Sequence, residues 1–107
     1  MTAKAVLRRR QAQRDVEQAA DHYFGEGGVA LELRFLTALE AAIQHVAAYP
    51  ASGSLRYGGA LDLTQLRFWP VKHFAYLVFY TEREAAVDVW RVLHAHRDIP
   101  AWLTRSE

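Results

Sequence analysis

Four side chains capable of chemistry crowd into one short stretch of the sequence, Arg91, His94, His96 and Arg97. An imidazole has the near-neutral pKa that general acids and bases need, and a guanidinium pairs with carboxylates and phosphates through a fixed fork of donors. His94 and His96, spaced i and i+2, project from the same face of a strand. Such a group can recognise an anionic or protein target if a rigid sheet holds it in place. As a metal site it lacks a third ligand, because neither Asp88 nor Asp98 stands at a diagnostic spacing, so no metal is expected and no cofactor. The commoner use of a strand-end histidine is structural, donating to a nearby carbonyl or carboxylate.

Arg91 lies in phase with Val87, Val89 and Leu93. Two readings follow. Its guanidinium sits on a partly covered face and is paired, with Asp62, Asp88 or Asp98 as mate, or it floors the concave side of the sheet. Arg97 and Asp98 fall where the sheet ends, a place for a cap or a solvated pair. The stretch Ile99-Pro-Ala-Trp-Leu103 is too apolar for a loose terminus and reads as a short turn of helix. It either covers the domain's own sheet or presents Trp102 and Leu103 as an exposed anchor.

The elements that must position these residues are legible from periodicity. Lys4 to Arg8 forms a short strand. From Arg10 to Phe24 the positions Ala12, Val16, Ala19, Ala20 and Tyr23 make one helical stripe, and Gly25, Gly27 and Gly28 end that helix. A second helix, Val29 to Ala48, turns Leu31, Phe35, Leu36, Leu39, Ala42, Ile43 and Val46 inward and Glu32, Arg34, Glu40 and Gln44 outward, and Tyr49-Pro50 stops it. A Ser- and Gly-containing loop follows, then a turn or bulge near Thr64 and a strand over Leu66 to Trp69. Phe74 to Tyr80 is apolar at odd and even positions alike, which predicts a central strand covered on both faces. Thr81 to Glu84 is the break of a hairpin leading into the run from Val87. The order strand, helix, helix, strand, strand, strand predicts an α+β fold: a helical hairpin packed on a small, twisted antiparallel sheet.

Composition limits what such a domain can do. The chain of 107 residues is 51% hydrophobic, enough for one core and one domain over 1–107. Its 13 Lys and Arg balance 12 Asp and Glu to a formal net charge of +1, so no global field drives nonspecific polyanion binding. The absence of cysteine excludes disulfides and thiolate chemistry. No run reaches the length of a membrane span and the opening residues lack a signal-peptide pattern, so the protein is expected in the cytoplasm, away from membranes.

The ordered series Tyr49-Pro50, Gly53, Arg56, Leu66-Arg67, Tyr76-Leu-Val-Phe-Tyr80, Val87, Val89, Arg91-Val-Leu-His94, Arg97-Asp98, Pro100 and Leu103 resembles the RelE/ParE toxin superfamily of type II toxin–antitoxin systems. Arg91-Val-Leu-His94 followed by Arg97-Asp98-Ile-Pro100 is similar to the ParE branch. The resemblance implies a small α+β toxin neutralised by a cognate antitoxin, with DNA contacted only indirectly through that antitoxin. It leaves two activities on one scaffold, because RelE-like members cut messenger RNA in the ribosome whereas ParE-like members poison DNA gyrase.

Metal-free RNA cleavage needs a base, cations for the phosphorane charge and an acid for the leaving oxygen. RelE-like enzymes supply these largely with Lys and Arg, yet Tyr57-Gly-Gly-Ala-Leu-Asp-Leu-Thr64 contains neither. The expected activity is therefore noncatalytic gyrase inhibition, with Arg56, Arg67, Arg91, Arg97, Trp102 and Leu103 as target-binding residues. The alternative is a ribosome-dependent endonuclease acting on mRNA, with Arg67 and Arg91 on the phosphate and His94 as acid; Lys72 is a further cation nearby. A third reading is an inactive homologue retained as antitoxin partner or co-repressor. The antitoxin should be acidic at its contact, facing Arg8, Arg9, Arg10, Arg14 and Arg34, and should use a sheet edge and an adjoining helical groove.

Overall fold

The computed structural model describes residues 2–58 and 65–104. The elements run β1 (Ala5–Arg8), α1 (Arg10–Ala48), a 3₁₀ turn (Pro50–Ser52), β2 (Arg67–Pro70), β3 (Tyr76–Glu82), β4 (Ala86–His94) and α2 (Ile99–Thr104).

The helical run passes through Gly25 and breaks at Gly27 and Gly28, where φ/ψ are −145/15° and 70/−162°. The left-handed φ of Gly28 is one that a Cβ disfavours, which is why the reversal falls there. A straight helix of 39 residues would extend ~58 Å, whereas the longest dimension of the molecule is 38 Å. α1 is thus two arms folded into the expected hairpin, with the Tyr23 and Phe35 rings 5.0 Å apart across it.

Among the described residues the sheet has four strands in the order β1-β4-β3-β2. β2, β3 and β4 form the expected antiparallel meander, but β1 pairs with β4 in parallel, Ala5 opposite Ala86 and Arg8 opposite Val89. The sheet is therefore mixed rather than antiparallel. The cause is topological: both arms of the hairpin and two strands intervene before β4 returns beside β1, and nothing in β1's four residues encodes that direction.

β3 is central and covered on both faces, as its unbroken apolar run predicts. Val78 and Tyr80 join Phe35, Leu39, Ile43 and Val46 beneath the hairpin. Phe79 joins Leu66, Leu93 and Ile99 on the opposite face, where Tyr57, Phe68, Trp90, Trp102 and Leu103 add partly buried surface. α2 is the predicted helical turn, and it docks on the domain's own sheet. The buried Tyr80 hydroxyl accepts the Gly53 N–H at 3.0 Å and donates to the Pro50 carbonyl at 2.7 Å, pinning the segment that follows α1. Among the described residues no helix is long and apolar enough to cross a membrane.

Candidate functional site

β1 ends at Arg8, and the Arg9 N–H makes the last bond to β4, at the Val89 carbonyl. Beyond that point β4 has lost its neighbour. One turn into α1, Asp15 takes over the exposed edge: its Oδ2 accepts the Val92 N–H at 3.0 Å. Opposite Phe79 and Tyr80 the pairing jumps from Arg91 to Val89, leaving Trp90 as an extra residue that donates its indole N–H to Thr81 Oγ1 at 3.1 Å. That bulge breaks the phase in which Arg91 was grouped with Val87 and Val89.

As a result the Arg91 guanidinium reaches Asp15, with Nε to Oδ2 and Nη2 to Oδ1 both at 2.8 Å, while Nη1 donates to the Trp102 carbonyl at 2.9 Å. Arg91 and Asp15 are 5% and 7% exposed. Asp15 thus takes the place expected for Asp88 or Asp98. Asp88 is held by Arg9 and Arg83, each with an Nη2 contact of 2.9 Å, and Asp98 accepts the Ala101 N–H at the start of α2. Asp62 lies outside the described residues, as does most of the loop whose lack of basic residues argued against nuclease activity. Burial pushes the Asp88 carboxyl up, but the Arg9 and Arg83 hydrogen bonds outweigh it and hold the group below the usual carboxylate value.

Asp15, backed by Arg91, lines a cleft of about 390 Å³ between the first arm of α1, the ends of β3 and β4, and the turn into α2. His94 is half-buried, with its ring 5.2 Å from Tyr76 and 5.1 Å from the exposed His96, whose backbone N–H donates to His94 Nδ1 at 3.1 Å. Burial, then the neighbouring His96, Arg97 and His22, lower the His94 pKa. Neutral imidazole is favoured. Arg97 is exposed, its guanidinium 4.1 Å from the centre of the Trp102 ring. The structure therefore brings Arg91, His94, His96, Arg97 and Trp102 together as expected, with Arg91 beneath the surface and Trp102 and Leu103 half-buried.

Arg56 and Arg67 do not join this cluster. Arg67 pairs across the sheet with Tyr80, away from the Tyr76 end, and its Nη1 donates to the Gly53 carbonyl at 2.8 Å. Arg56 is exposed beside Tyr57. Arg10, Arg14 and Arg34 are all exposed on α1. Arg34 and Lys72 border a second, apolar groove of about 590 Å³ between the second arm of α1 and the β2–β3 connection, which includes Leu33, Ala38, Trp69 and Phe74. Sequence reasoning missed Asp15 and His22, and it expected a helical groove without naming its Trp69–Phe74 wall. Asp15 carried a signal, since it stands in the Ala12–Ala19 stripe that faces the core, and an acid there demands a cation.

The family model for the ParE toxin of the type II toxin–antitoxin system parDE matches residues 6–99. The chain belongs to the ParE toxin family. A solved structure titled "Chromosomal ParDE TA system from P. aeruginosa" superposes with a TM-score of 0.73, covering 88% of this ParE chain and 98% of that one at 13% identity, a likeness of fold. A comparison with curated proteins finds no significant match. Both arms of the hairpin, the whole meander and the Arg91–Arg97 stretch of this ParE toxin fall inside the matched range.

Proposed function

We propose that this ParE toxin acts by binding rather than catalysis, inhibiting DNA gyrase in the cytoplasm until a cognate antitoxin neutralises it. The observation that carries the noncatalytic half is the commitment of Arg91. All three guanidinium nitrogens are engaged, and the group is almost wholly buried. A phosphorane needs cations that face it. The set required for RNA cleavage is therefore dispersed or occupied. Family membership supports gyrase as the target class.

In this reading Arg97, Trp102 and Leu103 form the centre of the target surface, Arg56 and Arg67 lie farther along the molecule, and Arg91 supports from below. The apolar groove bordered by Arg34 and Lys72 suits an amphipathic, acidic antitoxin segment, with Arg10 and Arg14 on the other arm of the hairpin. The test is a gyrase reaction on plasmid DNA with antitoxin-free protein, scored for supercoiling and for trapped double-strand cleavage. Inhibition that disappears in the Arg97→Ala/Trp102→Ala double variant supports both activity and site. Full gyrase activity with a folded toxin refutes the gyrase assignment, and mRNA cuts dependent on His94 would establish the nuclease instead.

A further inference from the structure

We infer that the cleft at the open end of β4 is an oxyanion site that accepts a phosphoryl group. Its polar walls come from four parts of the chain: Gln18 and His22 on the first arm of α1, Tyr76 on β3, His94 at the end of β4, and His96 and Arg97 in the turn beyond. Among the described residues, Asp15 is the one carboxylate that lines it, and both its oxygens are taken by Arg91, with the Val92 N–H added. The other acids nearby are accounted for. Glu26 is 3.4 Å from His22 on the exposed side of α1, and Asp98 accepts the Ala101 N–H.

What remains faces the space as donors. His94 Nδ1 is occupied as an acceptor, so the neutral ring carries its proton on Nε2. Burial, partly offset by Arg97, raises the Tyr76 phenol pKa and keeps its O–H protonated. Gln18 contributes an amide and Arg97 a full charge. Burial, and then the positive field of His96, Arg97 and His22, disfavour protonation of His94, and an anion seated in the cleft would offset that field. A planar carboxylate can satisfy donors along one edge. The three outward oxygens of a phosphoryl group match donors that converge from several sides.

This site needs no particular target, so its test stands apart from the gyrase assignment. Protein labelled at histidine is titrated with inorganic phosphate at constant ionic strength, following the imidazole resonances by NMR. Saturable shifts at His22, His94 and His96, with the His94 pKa moving upward, are expected. Arg97→Ala and His96→Ala, both at exposed positions, should each weaken binding about tenfold or more while leaving the melting midpoint unchanged. A thymidylate hexamer serves as the second arm: tighter binding than phosphate assigns the site to a nucleic-acid backbone, and binding of phosphate alone assigns it to a free phosphate. Non-saturating shifts, undiminished binding by both variants, or an equal response to glutarate would overturn the inference.

Discussion

Removing the Asp15 carboxylate would strand Arg91 in the core. In Asp15→Ala the guanidinium keeps the Trp102 carbonyl as a partner but loses its counter-charge at 5% exposure, and the Val92 N–H loses its acceptor. Breaking one side of a buried ion pair costs about 3–5 kcal/mol, against a total stability of roughly 5–15 kcal/mol for a domain of this kind. The melting midpoint should fall by on the order of 20 °C. Urea unfolding followed by tryptophan fluorescence measures the loss directly, since Trp90 precedes Arg91 in β4 and the Arg91 guanidinium lies 5.5 Å from the centre of the Trp102 ring. Glu40→Ala, which removes the more exposed partner of Arg8, should cost less than about 1 kcal/mol and is the internal control. Because the pair was dehydrated at a cost, Asp15→Leu/Arg91→Met should recover most of what Asp15→Ala loses. A loss below about 1 kcal/mol in Asp15→Ala, or Asp15→Ala and Arg91→Ala effects that simply add, would refute the coupled strut.

Tyr80→Phe deletes the hydroxyl that links Gly53 to Pro50 and should cost about 1–3 kcal/mol, with faster amide exchange confined to residues 50–57; uniform acceleration would show that the hydroxyl supports the whole domain instead. Gly53→Ala should be worse, because its Cβ would fall 2.9 Å from the Phe68 carbonyl oxygen, and backbone cannot move aside as a side chain can; an unchanged melting midpoint would contradict this packing. Stability should also change with pH in two steps. The folded pKa of His94 lies below its ordinary 6.5, so the unfolded chain binds more protons there, and stability present above about pH 6.5 is lost as the pH falls through the folded value. The same sign applies to Asp88 below its ordinary 3.8. Melting midpoints across pH should lose the upper step in His94→Gln and the lower one in Asp88→Asn, and steps that persist in those variants would assign them to other groups.

Much of the fold was legible because each element announced itself locally. The Ala12–Tyr23 and Phe35–Val46 stripes, the glycines at the reversal, the doubly apolar β3 and the proline-started α2 are short-range patterns, and each lies close to where the spacing put it. Arg97 and Trp102 were likewise readable as neighbours, since a five-residue separation across a strand-to-helix turn keeps them close. What escaped was set by contacts between distant parts of the sequence. Arg91 pairs with a residue 76 positions away, and its direction depends on one extra residue at Trp90 that alternation alone does not reveal. The direction of β1 and the sheet-side wall of the groove beside Arg34 have the same origin, being products of how elements meet.

The parallel seam between β1 and β4 has a consequence for the order in which a nascent chain can become active. Ala5 waits for Ala86, so the first strand has no place in a sheet until nearly all of the matched domain has been synthesised. At about 5–20 residues per second, the hairpin can form seconds before the strand that completes the sheet leaves the ribosome. The Asp15–Arg91 strut and the Arg97–Trp102 surface arise only in that last step. A ribosome that stalls before Ala86 would release a fragment with the helical hairpin but without β4, α2 or the Arg97–Trp102 surface, so the topology makes the assembled surface depend on finishing translation.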